Sequence, residues 1–413
     1  MKIVVFEDSS HGQFYPITLN RPVFSLKCGI LSLFDKVKDL YPSLQCLYLV
    51  RDELEGVYGK DDLFLFADLD QDEEYFFISG RVLLDKRWTL KTDEVGILKN
   101  EIVAFKLKGS KLKDLSKSDF FMKGSLEQYF KDKKFPFIEL KGRKLNYLFD
   151  LIHENAGEIS KDYNRIRNRF RQSKNSWEGT FIGKDPIIHE KAKVYPGTYF
   201  LSDNGPIIID EGAVVKPLSI IEGPCYIGKD TLVDGAKITG GSSIFNNCKI
   251  SGEVENSIML NFTNKHHEGF IGHSYVGSFV NFGALSTNSD LKNNYGNVSL
   301  HMDGEKINTA SIKVGAFIGD HSKLGIGSLI NTGTVIGMGC NLYFEGSMYP
   351  KDIPSFIWGG KAPFQEYNFD KFIENSQAIL KRRQQTLLEE DILLLNKIYQ
   401  SENEKRRKLL KSH

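Results

Sequence analysis

The sequence predicts an α/β domain, then a parallel β-helix of hexapeptide repeats, then a C-terminal helical segment. Three observations carry that order. Residues 1–175 alternate short apolar runs with helical spacings, from about 180 aliphatic residues recur every six positions, and from about 365 apolar residues recur at helical spacing. The 413 residues exceed the roughly 100–150 of one compact domain, so more than one unit is expected. The assignment is 1–175, 176–364 and 365–413.

In the first region, KIVVF, CLYLV, YFFIS and EIVAFKL read as strands, and GILSLFDKVKDL and LNYLFDLIHENA as helices. MKIVVFEDSS reads as a first strand and not as a leader, and no run approaches the roughly 20 apolar residues of a membrane span. The five cysteines are scattered without a C-x-x-C pair, which predicts neither a zinc ribbon nor a disulfide framework and fits a reduced, cytoplasmic location. Lys plus Arg (54) nearly cancel Asp plus Glu (53), leaving +1. That balance argues against binding nucleic acid by phosphate neutralisation.

The repeat is the strongest signal. Ile182, Ile188 and Val194 are six apart, as are Val215, Ile221, Ile227 and Val233, and again Ile238, Ile244 and Ile250. The longest run is Ile312, Ile318, Leu324, Ile330, Ile336 and Leu342. One aliphatic among small or polar neighbours suits a short strand that points one side chain into a prism and then turns a corner. The alternative, a Gly-rich sandwich, does not call for six aliphatics in strict register. The register breaks at 291–309, which predicts an extruded loop of the kind that often carries binding function. The segment from 365 reads as one long helix or two, packing its Ile/Leu stripe on the end of the solenoid or on a neighbouring chain. Glu402 and Glu404 beside KRRKLLK argue against nucleic-acid binding there.

The stretch KHHEGFIGHSYVGS holds His266, His267 and His273. A metal site needs three or four converging ligands, whereas adjacent residues on a strand point to opposite faces. A general base needs one histidine in reach of a proton, and His273, after a glycine and before Ser274 and Tyr275, fits best. A surface histidine without a role is the plain alternative.

The run HHEGFIGHSYVGSFVNFGALSTNSDLKNNYG, then HSKLGIGSLINTGTVIGMGCN and PSFIWGG, resembles a bacterial group of GlmU-like proteins, an alternative form of the bifunctional enzyme that makes UDP-N-acetylglucosamine. The resemblance implies a left-handed β-helix assembled as a homotrimer, with acyl-CoA sites between subunits and acetyl-CoA as co-substrate. It implies His273 as catalytic base and Tyr275, Asn281, Asn294 and Tyr295 as substrate-binding residues. Lys265 would contact the sugar phosphate. Acyl transfer from a thioester also needs donors for the oxyanion, for which the Gly283-Ala284 backbone is a candidate. Asn281, Ser286 and Asn288 could hydrogen-bond a long ADP-containing cofactor, which makes Gly283, Ala284 and Ser286 the cofactor candidates.

The start, IVVFEDSSHGQFYPITLNRPVFSLKCGI, resembles sugar-nucleotide pyrophosphorylases in its strand and its PIT, with Arg21-Pro22 where Pro-Lys is usual. EDSSHGQ offers one glycine where those proteins have a G-x-G-T-R loop. Within the resemblance, Arg21 and Lys27 are phosphate or substrate candidates, and Asp8 is a candidate for Mg²⁺ or a nucleotide contact. The substrates implied are a sugar 1-phosphate, a nucleoside triphosphate and acyl-CoA, with neither nucleic acid nor membrane as partner. The other readings are an acyltransferase with a degenerate first domain, and a non-enzymatic solenoid scaffold.

Overall fold

The computed structural model describes residues 1–58, 62–170, 179–184, 186–302, 304–343, 345–360 and 363–412. The boundary expected between 175 and 176 lies outside the described residues. The chain divides into two compact units. One comprises 1–14, 18–27 and 31–147, the other 15–17, 28–30 and 148–413.

The first unit is built on a mixed six-stranded sheet. Its spatial order is Cys46–Leu49, Lys2–Phe6, Glu74–Ser79, Glu101–Lys108, Glu94–Leu98 and Phe137–Glu139. Lys2–Phe6 runs parallel to both neighbours and is buried over its last four residues, as the unbroken IVVF run requires of a central strand. Phe6, Phe77, Phe105 and Phe120 pack in one cluster, with Phe77 and Phe105 stacked at 4.5 Å. The helix Leu33–Leu40 begins at a capping box, the Ser32 hydroxyl accepting from Asp35 N–H while the Asp35 carboxylate accepts from Ser32 N–H.

The second unit is a β-solenoid of about ten turns between residues 180 and 358. Its faces are a nine-stranded sheet from Ile187–Ile188 to Asp352–Ile353, a ten-stranded sheet that starts at Lys193–Val194, and a six-stranded sheet from Thr180–Ile182 to Phe270–Gly272. The strands within the prism pair in parallel, so side chains one coil apart stack. Ile227, Ile244, Val276, Ile318 and Ile336 form one such inward column, and Val215, Val233, Ile250 and Leu324 another, all within 2% of full burial. Burying each of these aliphatics stabilises the fold by about 1.5–3 kcal/mol. Two members of the six-residue pattern lie outside the column: Ile182 is 54% and Ile312 48% exposed. Ile182 opens the first coil, and Ile312 sits on the return from the extruded loop. That loop contains an antiparallel hairpin, Ser299–Met302 against Glu305–Asn308, where the register breaks.

The helix Leu148–Ile166 groups with the solenoid rather than with the α/β unit. Its Asn155 Nδ2 donates to the Gly241 carbonyl at 2.7 Å, its Oδ1 accepts from Gly29 N–H at 2.6 Å, and Ser243 Oγ donates to the Gly29 carbonyl. Gly29 has φ +79°, and a Cβ there would stand 2.5 Å from an Asp162 oxygen, so the close approach of chain to helix requires glycine.

The C-terminal segment forms three helices, Phe369–Arg382, Glu389–Ser401 and Asn403–Ser412, where the sequence suggests one or two. They pack on the solenoid unit. The buried Glu402 carboxylate accepts from Tyr15 Oη at 2.9 Å and Ser355 Oγ at 3.1 Å. Arg406 is 1% exposed, lies over the Tyr399 ring at 4.1 Å and donates to Glu366, so the basic run at the terminus is partly interior structure. All five cysteines are buried free thiols. No described helix is long and apolar enough to cross a membrane.

Candidate active site

His273 sits at the corner after Phe270–Gly272, in the left-handed region at φ +46°. Its N–H donates to the Glu255 carbonyl of one neighbouring coil, and its carbonyl accepts from Gly315 N–H. The side chain is 9% exposed and its Nδ1 lies 2.7 Å from Asp290 Oδ2. A carboxylate offers only acceptors, so Nδ1 carries the proton and Nε2 keeps the lone pair. That is the tautomer a general base requires.

The surroundings hold this arrangement. The Asn288 carboxamide accepts from Gly272 N–H at 2.8 Å and donates to the Gly272 carbonyl at 3.0 Å, clamping the peptide before the histidine. Gly272 has no side chain for a steric reason: a Cβ there would stand 2.6 Å from Asp290 Oδ2 and 2.4 Å from the Phe270 ring. Ser274 Oγ accepts from Ala316 N–H and donates to the Gly272 carbonyl, tying the far side of the corner. Glu255 completes a cluster in which ligand-type atoms of Glu255, His273 and Asp290 lie within 4.8 Å of one another. Lys313 Nζ stands 2.7 Å from Glu255 Oε1 and balances its charge. That ammonium thus sits on one carboxylate, and the imidazole is hydrogen-bonded to the other. On the helix Leu148–Ile166, His153 has its pKa lowered, first by burial and also by the charge of His273, so it stands within electrostatic reach of that imidazole.

Sequence reasoning passed over Asp290, Glu255 and Lys313. Coil arithmetic could have found Asp290: one coil is three six-residue steps, less one at some corners, and Asp290 lies 17 residues after His273. Glu255 stands one coil before, where the register pairs it with Gly272. Lys313 returns only after the extruded loop, so spacing gave no signal for it.

The other expected site residues have different surroundings. Tyr275 is fully buried, on the nine-stranded face that the helix Leu148–Ile166 crosses. Gly283 N–H is spent on the Leu324 carbonyl, and Ser286, 1% exposed, donates to the Gly283 carbonyl. Neither group is an open donor for a cofactor or an oxyanion. Ala284 is half-buried, and its carbonyl accepts from Gly327 N–H. Asn281 accepts from Asn264 Nδ2 at 2.7 Å. Asn294 accepts from Gly296 N–H in a tight turn, and Tyr295 is 69% exposed on the extruded loop.

Lys265 takes an inward position, in register with Ile250 and 1% exposed. Its Nζ donates to the Ser251 carbonyl at 2.6 Å and the His267 carbonyl at 3.0 Å, so the ammonium is committed to the chain's own backbone and not offered to a sugar phosphate. Burial brings its pKa down to about 8, with Glu268 and Glu253 opposing. The ordinary value is 10.5, so between about 8 and 10.5 the unfolded chain holds more protons and stability rises with pH. Urea unfolding of the wild type and Lys265→Met should therefore differ by an amount that changes by on the order of 3 kcal/mol between pH 7 and 10.5, the wild type gaining. A pH-independent difference would show that the ammonium is not desolvated.

His266 and His267 also depart from expectation. They follow the strand Asn264–Lys265 at a corner instead of lying on it, so both rings face one pocket, 5.7 Å apart, where strand alternation would have separated them. His266 Nε2 pairs with Asp234 at 3.1 Å.

In the first unit, Asp8 Oδ2 pairs with Arg81 Nε at 2.8 Å and Oδ1 accepts from Ser10 N–H. Both oxygens are engaged, an arrangement that does not suit an open Mg²⁺ ligand. Lys27 pairs with Asp35 at 3.4 Å, and Arg21 Nε donates to Asn20 Oδ1. Glu7 forms a more deeply buried ion pair with Arg51, at 2.7 Å.

These features define a class: a mixed α/β domain, followed in the chain by a β-solenoid that carries a buried His–Asp pair at a coil corner. Residues 3–170 match the sugar nucleotidyl transferase family. The chain is also similar to the bifunctional protein GlmU of Wigglesworthia glossinidia brevipalpis, 28% identical over 189 residues, covering 44% of this chain and 38% of that one. To the bifunctional sugar-1-phosphate nucleotidylyltransferase/acetyltransferase of Sulfurisphaera tokodaii it is 32% identical over 170 residues, 40% of this chain and 37% of that one. The matched span is thus about two-fifths of these relatives' length. The solved Arabidopsis UDP-N-acetylglucosamine acyltransferase superposes with a TM-score of 0.27 at 14% identity, over 50% of this chain and 75% of that one.

Proposed function

We propose that the protein is a bifunctional transferase of sugar-nucleotide synthesis. One reaction is N-acetylation of glucosamine 1-phosphate by acetyl-CoA, the other uridylyl transfer from UTP to N-acetylglucosamine 1-phosphate. The observation that carries the first is the buried His273–Asp290 pair with Nε2 left as proton acceptor. In that reaction the amine attacks the thioester carbonyl and gives a proton to His273 Nε2, while Asp290 holds the ring and stabilises the imidazolium. The thiolate leaves and takes up that proton, returning the histidine to its starting state. A homotrimer in the cytoplasm belongs to this reading, with acetyl-CoA between neighbouring subunits.

The second reaction is supported by the family match over residues 3–170. Arg21 is the phosphate candidate, so Arg21→Ala should lower uridylyl transfer at least tenfold while acyl transfer stays within twofold. Unchanged uridylyl transfer would remove Arg21 from that role. The reading with acyl transfer alone is favoured by one specific observation, the engagement of both Asp8 oxygens. A paired assay decides between them: free CoA from acetyl-CoA with glucosamine 1-phosphate, and pyrophosphate from UTP with N-acetylglucosamine 1-phosphate and Mg²⁺. CoA release without pyrophosphate would leave the first domain a binding or assembly role, and silence in both arms would overturn the proposal.

A further inference from the structure

A cavity of about 500 Å³ opens on the ten-stranded face of the solenoid unit. Lys249, His266, His267 and Lys323 come from three of four stacked coils, and Arg382 and Arg383 from the end of the helix Phe369–Arg382. Among the described residues its lining thus holds two guanidiniums, two lysine amines and two imidazoles, and no carboxylate. A helix C-terminus favours a basic residue or two on its own account. It gives no reason for four more basic side chains to converge from the neighbouring coils.

The carboxylates nearby do not balance this charge. Asp234 pairs with His266 but is shared with Lys216 at 2.8 Å, and Asp320 acts on Lys323 from outside the lining. Lys323 Nζ donates to the Phe279 carbonyl, and burial, with Arg383 adding its charge, brings the lysine down to about 7. One wall is aromatic, Phe262 and Phe279 stacking at 4.6 Å. The size lies within the ordinary range for a small-molecule site. Guanidiniums in its lining suit a phosphate, which they bind in bidentate fashion.

We propose that Arg382, Arg383, Lys249 and Lys323 form a binding site for the phosphate dianion of a small phosphorylated ligand. Its lining excludes His273 and Asp290, and the expectation that the ligand is a sugar phosphate rests on the function proposed above. The C-terminal helices then have a chemical role beyond capping the solenoid, because they supply both guanidiniums.

Isothermal titration of the full-length protein with glucosamine 1-phosphate, glucosamine and inorganic phosphate tests this at low salt. Glucosamine 1-phosphate should bind and glucosamine should not. The double variant Arg382→Ala/Arg383→Ala should weaken phosphate binding at least tenfold. Arg382 is exposed and Arg383 half-buried, so the fold should tolerate both changes. A charge-matched control, Lys371→Ala/Lys381→Ala, should bind within twofold of wild type, and Arg382→Lys/Arg383→Lys should recover part of the loss. Equal weakening in the control, unchanged binding in the arginine variant, or no binding of either phosphate compound overturns the site. Binding of inorganic phosphate without the sugar phosphate would keep the site and count against the sugar reading instead. His273→Ala should bind like wild type, which separates failure of the site from failure of the acyl-transfer assignment.

Discussion

His273→Ala is expected to lower acyl transfer by about 10²–10⁴-fold, the span that a positioned general base contributes. The loss should fall on kcat, with KM for acetyl-CoA little changed, because the side chain acts on the proton and not on the cofactor. The melting temperature should stay within a few degrees of wild type. The variant leaves Asp290 without its partner, but Lys313 is close enough for each charge to favour the other. Asp290→Asn should also lower kcat strongly, since an Asn amide can donate to Nδ1 as well as accept from it, so it neither fixes the tautomer nor stabilises an imidazolium. Activity close to wild type in His273→Ala would make the pair a structural device of the corner. Collapse of the fold in that variant would do the same.

Glu7→Ala is expected to destabilise the first unit by about 3–5 kcal/mol, the usual consequence of removing one member of a buried ion pair. Glu7 is 1% exposed and Arg51 9%. The carboxylate accepts from Arg51 Nη1 at 2.7 Å and Val23 N–H at 3.1 Å, while Arg51 Nη2 donates to the Thr18 and Leu19 carbonyls. Glu7 and Arg51 together therefore pin the 18–23 loop onto the ends of two parallel strands. Without the carboxylate, a guanidinium and a backbone N–H lose their buried acceptor. Glu7→Gln keeps an acceptor for Val23 and should lose less. Urea unfolding followed by intrinsic fluorescence measures both variants, and a loss under about 1 kcal/mol for Glu7→Ala would show that the loop is held by other contacts.

The sequence shows only part of this second result. Glu7 and Asp8 stand together after the first strand, and at that level either could end the strand or meet a nucleotide. The fold separates them: Glu7 turns inward to Arg51, and Asp8 pairs with Arg81, 73 residues further on. Neither partner is predictable from local pattern, because both pairs join strands that meet only in the sheet.

By itself the sequence determined the solenoid and its interruption, and it marked His273 as the candidate base. A six-residue period leaves one aliphatic per short strand, and only a prism buries such a pattern in stacked columns. Gly-His at a corner marks a place where the backbone is open and a titratable side chain is fixed. Tertiary structure alone decided the rest. Asp290 reaches His273 because coils stack, and Lys265 turns inward because its position in the repeat is a core position. His266 and His267 converge because a corner, unlike a strand, does not alternate. Arg382 and Arg383 meet Lys249 and Lys323 only after the C-terminal helices fold back on the solenoid. For His273 and the two arginines the physical reason is the same: periodicity fixes which way a side chain points within its own coil, while its partners come from another coil or from the C-terminal helices.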